Sequence, residues 1–218
     1  MNKRVAKILA DKRFFELGIK IAAGRFIPVY WNPKKSLSNP KVLKVIAQEL
    51  AKTIKKIRPK IEVIAGGATG GISLAAAAAL ELGLPWVYIR AQKKGYSTNV
   101  LVEGDYKKGA RAVLLDDVMA TGASKEMFIK NAQGQLVIKD LIVVLDDTDN
   151  QPPVWLKKQG IRFQSLFTKS QRDKFFYQLG FLDDEAYAVT RAYVADRDNW
   201  FKDKKVWQQF QKLKKHGL

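Results

Sequence analysis

An α/β fold with a central parallel sheet flanked by helices is predicted for this chain, and two observations predict it. From about Ile61 onward, short apolar runs alternate with longer amphipathic ones, the order that parallel strands joined by crossover helices require. The short runs "IEVIAG", "PWVYIR", "RAVLLDD" and "DLIVVLDD" are rich in β-branched residues and bounded by Gly, Pro or Asp, as buried strands are.

Ahead of this core, the first twenty residues interrupt their apolar positions with charge, where a signal peptide would carry a continuous run. The stretch "GIKIAAGRFIPVYWNPKKSL" mixes β-prone residues with Gly and Pro and predicts a hairpin or hood over about residues 15–38. In "NPKVLKVIAQELAKTIKKIRP", Val42, Val45, Ile46, Leu50, Ile54 and Ile57 recur at three- and four-residue spacing, an amphipathic helix between two prolines. Within the core, "GISLAAAAALELG" and "SKEMFIKNAQG" read as helices ending at a glycine, and "IRFQSLF" as a fifth strand. After about Thr168 the chain turns helical and aromatic. The expected organisation is one domain over residues 1–167, with its core from about 39, and a helical C-terminal extension over 168–218.

Composition narrows the chemistry. Of 218 residues 47% are hydrophobic, enough for a substantial core. There is no cysteine, which excludes disulfides and thiolate metal sites, and the single histidine, His216, lies almost at the C-terminus, which argues against histidine catalysis or zinc. No apolar segment approaches the ~18 residues of a membrane span, so a cytoplasmic protein without membrane contact is expected. Lys and Arg exceed Asp and Glu by 39 to 21, which suits a polyanionic partner. The lysines are dispersed, however, so the expectation for nucleic acid is weak, non-specific, salt-sensitive adhesion.

Against that basic background, "AVLLDDVMATGAS" places two carboxylates, Asp116 and Asp117, at the end of a strand and follows them with a turn opening a helix. Ligands of open α/β sheets bind beyond the carboxyl ends of strands. A helix start with glycine and hydroxyl residues, here Thr121 to Ser124, offers unpaired N–H groups to an anion. The carboxylates suit hydroxyls or a cation, and a sugar phosphate meets both demands. Side chains alternate along a strand, so the two acids share a task only if the strand is already turning. A second glycine-rich turn, "AGGATGG", ends the preceding core strand, where glycines permit close approach of backbone amides to a diphosphate.

The strand, acid pair and Thr-Gly turn resemble the 5-phosphoribosyl 1-diphosphate (PRPP) motif of type I phosphoribosyltransferases. The resemblance is nearest to the orotate phosphoribosyltransferases. "AAGRFIPVYWNPKKSLSNPKVLKVIAQELA" is similar to their N-terminal signature, and "YIRAQKKGYSTNVLVEGDYKKG" to their strand, basic loop and Glu-Gly. It runs in consistent order from about Phe15 to Asp147. It implies that Asp116 and Asp117 hold the ribose hydroxyls, and that Ala120, Thr121, Gly122, Ala123 and Ser124 hold the 5-phosphate. By the same resemblance Gly66, Gly67, Ala68, Thr69 and Gly70 line the diphosphate loop. Arg90 and Lys94 would serve the leaving group, with Asp116 and Asp117 counted among the catalytic residues and Lys94 closing over the site of a neighbouring subunit. Tyr30, Trp31 and Arg25 would meet the base. The implied activity is transfer of phosphoribosyl from PRPP to a nucleobase in pyrimidine nucleotide synthesis, with Mg2+ on the diphosphate and a homodimer as the working form. The alternatives are transfer to another base, or a non-catalytic PRPP sensor that binds nucleic acid. The chain departs from the pattern at Ala22, at Ala91 and at Tyr96, where the family carries lysine, lysine and histidine. It also has Asp147 at the place of the arginine that grips the orotate carboxylate.

Overall fold

The computed structural model describes residues 3–20, 25–92 and 100–218. The chain begins with α1 (Lys3–Leu9) and a short 3-10 turn, whose Asp11 side chain accepts from the Arg13 N–H. There follow β1 (Phe15–Lys20) and β2 (Phe26–Trp31), an antiparallel hairpin in register from Phe15 opposite Trp31 to Lys20 opposite Phe26. The hood expected from the sequence is thus a hairpin. Asn32 then caps α2 (Pro33–Leu37), its side chain accepting from the Lys35 N–H.

The amphipathic helix predicted next is α3 (Pro40–Ile54), with Val42, Val45, Ile46, Leu50 and Ile54 all buried. Beyond it run β3 (Val63–Gly67), α4 (Gly70–Leu82), β4 (Trp86–Ile89), β5 (Val102–Glu103), β6 (Arg111–Met119), α5 (Ala123–Asn131), β7 (Val137–Asp146), α6 (Val154–Lys158) and β8 (Arg162–Thr168). They build a six-stranded sheet ordered β5-β4-β3-β6-β7-β8. The pairs β3–β4, β3–β6 and β6–β7 are parallel, and short β5 runs antiparallel to β4. Leu114, Leu141 and Val143 from the central strands are wholly buried in one apolar cluster with Phe128 of α5. Helix α4 ends as predicted at Gly83, which is left-handed and returns its N–H to Ala79 O. Helix α5 stops at Asn131, before the predicted glycine.

One strand outruns its prediction. The acid pair was expected to end β6, with "MATGAS" opening the helix. Instead Val118 and Met119 continue in register with Leu145 and Asp146 of β7, and the Met119 carbonyl accepts from the Asp147 N–H at 2.9 Å. Pairing to a long neighbour holds the chain extended, so α5 starts only at Ala123.

The remaining residues form α7 (Lys169–Gln178), α8 (Asp184–Ala195), a 3-10 turn at Trp200–Lys202 and α9 (Lys204–His216). Their caps are legible: Thr168 with Gln171 forms a capping box, and Asp183 and Asp203 accept from first-turn N–H groups. The expected boundary at 167/168 does not describe how the chain divides. Residues up to Val42 and those from Phe167 onward form one compact unit, and Leu43–Leu166 form another. Aromatic packing explains the pairing of the two chain ends. Phe26 of the hairpin stacks on Trp200 at 5.6 Å, Phe210 meets both rings edge-on, and the Trp200 indole N–H donates to the Phe26 carbonyl. Among the described residues no helix is long and apolar enough to cross a membrane.

Candidate active site

The carboxyl ends of β3 and β6 meet the starts of α4 and α5, and the acid pair lies there. Asp116 is buried and Asp117 is half-buried. Their side chains do not diverge as strand alternation would have it. A Cβ placed on Gly70, the first residue of α4, would lie 2.5 Å from Asp117 Oδ2 and 3.2 Å from Asp116 Oδ1. Both carboxylates therefore converge on one helix start, where the positive end of the helix dipole favours anions. Each also folds back on the strand: Asp116 Oδ1 accepts from the Asp117 N–H and Asp117 Oδ1 from the Val118 N–H.

Sequence reasoning missed the residue that balances this charge. Lys125, in the first turn of α5, places Nζ 2.8 Å from Asp116 Oδ2, and the two side chains are only 10% and 6% exposed. A cation at a helix N-terminus opposes the helix dipole, and that mismatch in "GASKE" was the available signal of a partner elsewhere. Burial pushes the Asp116 carboxyl up to about 6; the Lys125 ammonium works against that rise and the neighbouring Asp117 charge adds to it.

The glycine-rich turn acts differently from its expected role. Gly66 and Gly67 belong to β3, pairing with Tyr88 and Ile89 of β4, and the Ala68 N–H donates to the Ile89 carbonyl. Close packing demands these glycines: a Cβ on Gly67 would overlap the Phe128 ring, and one on Gly71 the Leu115 carbonyl. What remains for a ligand is Thr69, which is exposed, and the first-turn amides of α4 at Gly70 and Gly71. The second turn is open as well. Ala120 is half-buried, Thr121, Ala123 and Ser124 are exposed, and Gly122 precedes α5 in a left-handed conformation, so this helix start also presents N–H groups outward.

The other predicted residues are placed as follows. Arg90, just past β4, pairs with Glu103 at 3.3 Å, and its carbonyl accepts from Asn131 of α5. Asp147 follows β7 and is 9% exposed; the turn beyond it is organised by Asp146, which accepts from the Thr148 and Asn150 N–H groups. In the unit formed by the chain ends, Trp31 is 2% exposed and lies against Phe167, and its indole N–H finds no partner among the described residues. Of the two aromatics assigned to the base, only Tyr30 keeps an appreciable surface. Arg25 pairs with Asp198 at 3.1 Å. Lys94, Ala22 and Tyr96 lie outside the described residues. Acceptors for a diol beside two helix starts for phosphate groups make this end of the sheet fit to bind a phosphorylated sugar.

Comparison with known proteins agrees with that geometry. A model of the phosphoribosyl transferase domain matches residues 34–147. Orotate phosphoribosyltransferase of Lactiplantibacillus plantarum is 32% identical over 82% of this chain and 85% of its own length. That of Porphyromonas gingivalis is 36% identical over 56% of this chain, and here the chain spans only 62% of the relative's length. The crystal structure of orotate phosphoribosyltransferase from Aeropyrum pernix superposes with a TM-score of 0.67 at 27% identity, covering 82% of this chain and 99% of that one.

Proposed function

The chain belongs to the phosphoribosyltransferase family, and from that premise we propose that it transfers the 5-phosphoribosyl group of PRPP to a nucleobase, with orotate the leading substrate. The observation that carries this reading is the convergence of Asp116 and Asp117 on the start of α4, beside the open start of α5. In this reading the acid pair accepts from the ribose 2- and 3-hydroxyls, the turn Ala120 to Ser124 holds the 5-phosphate, and the Thr69 to Gly71 amides with Arg90 and Lys94 attend the diphosphate. The bond from C1 to the diphosphate oxygen breaks with its electron pair leaving on the diphosphate, and a ring nitrogen of the base bonds to C1 with its lone pair, its N–H proton passing to the leaving diphosphate or to solvent. Cationic character on the ribose then lies near the two carboxylates, so positioning and charge stabilisation carry the rate.

Magnesium belongs to the proposal as a companion of the substrate. The cation would arrive on the diphosphate oxygens of the substrate, where it would neutralise the charge of the leaving group; among the described residues no cluster of three or more His, Cys, Asp or Glu offers it a site of its own. The family kinship further suggests a cytoplasmic homodimer.

A second reading, transfer to a base other than orotate, is favoured by Asp147. By resemblance it stands where orotate enzymes carry an arginine, and an acid there repels the orotate carboxylate. Loss of one partner of such a pair costs about 2–5 kcal/mol, and about 1.4 kcal/mol is a factor of ten. Pyrophosphate release from PRPP is to be compared for orotate, uracil, cytosine and the 6-oxopurines, in wild type and in Asp147→Arg. We expect release with at least one base, and a gain for orotate of about a hundredfold or more in the variant. Efficient use of orotate by wild type with no gain in Asp147→Arg would remove Asp147 from the base pocket. PRPP binding without release for any base would favour a sensor.

A further inference from the structure

We propose that Lys125 is a positioning residue of this site: from α5 its ammonium holds the Asp116 carboxylate in place and keeps it charged for the ligand's diol. The inference deepens the proposed function and rests on it for the identity of the ligand.

The geometry is specific. Lys125 Nζ stands 2.8 Å from Asp116 Oδ2 and 3.3 Å from the Ser124 hydroxyl, so one ammonium touches both the acid pair and the phosphate turn. Two further facts make the placement purposeful. A lysine in a helix first turn is opposed by the helix dipole, and an ammonium in a nearly closed site is costly unless paired. Solvent does not screen the pair appreciably, because little of either side chain is exposed.

The groups facing Asp116 account for its state. Its own strand contributes the Asp117 carboxylate, which disfavours a second negative charge; α4 contributes the Gly70 backbone; β7 contributes Val143 in register; α5 contributes Lys125. Burial and the Asp117 charge both drive the carboxyl toward its protonated form; among the described residues the Lys125 ammonium is the charge acting the other way, with the Asp117 N–H as a smaller ally. Without it, Asp116 would take up a proton nearer neutral pH and meet a ribose hydroxyl as an acid, with one fewer acceptor. The lysine also ties the two halves of the site.

The test begins on the ligand-free protein. The carboxyl carbon of Asp116 is titrated by NMR in wild type, Lys125→Met and Lys125→Arg. We expect the midpoint to rise by at least about one pH unit in Lys125→Met, and Lys125→Arg to stay near wild type. Calorimetry with magnesium PRPP follows, at about pH 5 and about pH 9, below and above both midpoints. Lys125→Met should bind about tenfold more weakly at the lower pH and recover most of that loss at the higher one. If Lys125→Met does not fold, Lys125→Gln carries the same expectations while keeping a donor for Ser124. An unmoved midpoint overturns the proposal, as does a loss of affinity equal at both pH values, which a merely structural lysine would produce. If the midpoint moves in Lys125→Met but wild type does not bind PRPP, the ligand assignment is overturned instead, and wild-type calorimetry beside the titration tells the two failures apart.

Discussion

Asp116 concentrates the electrostatics of the site into one proton. Its carboxyl titrates at about 6 in the folded chain against an ordinary 3.8, so the folded state binds that proton more tightly than the unfolded one. Stability contributed by this group is therefore present at low pH and is lost as pH rises from about 4 to about 6. About two pH units correspond to about 3 kcal/mol. In urea unfolding across that range, the stability of wild type minus that of Asp116→Asn should fall by an amount of this order and then level off. Carboxylates that do not interact with Asp116 cancel in the difference, and a difference independent of pH would show that Asp116 is not perturbed by folding. Ligand affinity supplies a second measurement at the same residues. Replacing Asp116 and Asp117 together by Asn should weaken magnesium PRPP by about 2–4 kcal/mol, the loss of charge-assisted hydrogen bonds at two positions. Unchanged calorimetric affinity in a folded double variant would place the diol elsewhere.

Helix α4 shows how a glycine run serves packing and ligand at once. Gly71 brings the helix start so close to β6 that an added methyl would overlap the Leu115 carbonyl, a backbone atom that cannot rotate away. Gly71→Ala should accordingly destabilise the chain by about 1–3 kcal/mol or more through overpacking. Ser73→Ala, exposed two residues along, should stay within about 0.5 kcal/mol of wild type. Thermal unfolding of the two variants checks the contrast, and a Gly71→Ala protein as stable as wild type would mean that the helix start has room to shift. Gly70 is of another kind, since its hydrogen faces the two carboxylates rather than backbone.

The two ends of the chain fold as one unit, and its aromatic core is the joint. Phe210 is wholly buried against Phe26, Trp200 and Trp207, and Ile27, Val189 and Tyr193 complete the cluster. Phe210→Ala should cost about 3–5 kcal/mol, the usual range for emptying such a position. If α9 and the hairpin share one core, amide hydrogen exchange in β1 and β2 should quicken in that variant, although the substitution lies far along the chain. Exchange confined to α8 and α9 would restore the picture of a separate C-terminal extension.

Much of this could be read from the residues in order. Strand and helix periods are local properties, so the β-branched runs of the sheet, the Val42 to Ile54 helix face and the glycine end of α4 were all legible, as was the strand-acid-turn order at Asp116 to Ser124. Motif spacing reached further than periodicity because a phosphate and a diol require several chemistries in fixed succession. The pairing of the hairpin with the C-terminal helices was beyond such reading. Phe26 and Trp200 stand 174 residues apart, and no local pattern says which aromatic surfaces will cover each other. The extension of β6 to Met119 likewise depends on the length of β7 beside it, because strand ends follow the hydrogen bonds a neighbour offers. Lys125 marks the same divide within the site. The chain displays a lysine out of place at a helix start, but its partner is set by how α5 returns across the end of β6, where burial converts an ordinary ammonium into the counter-charge of Asp116.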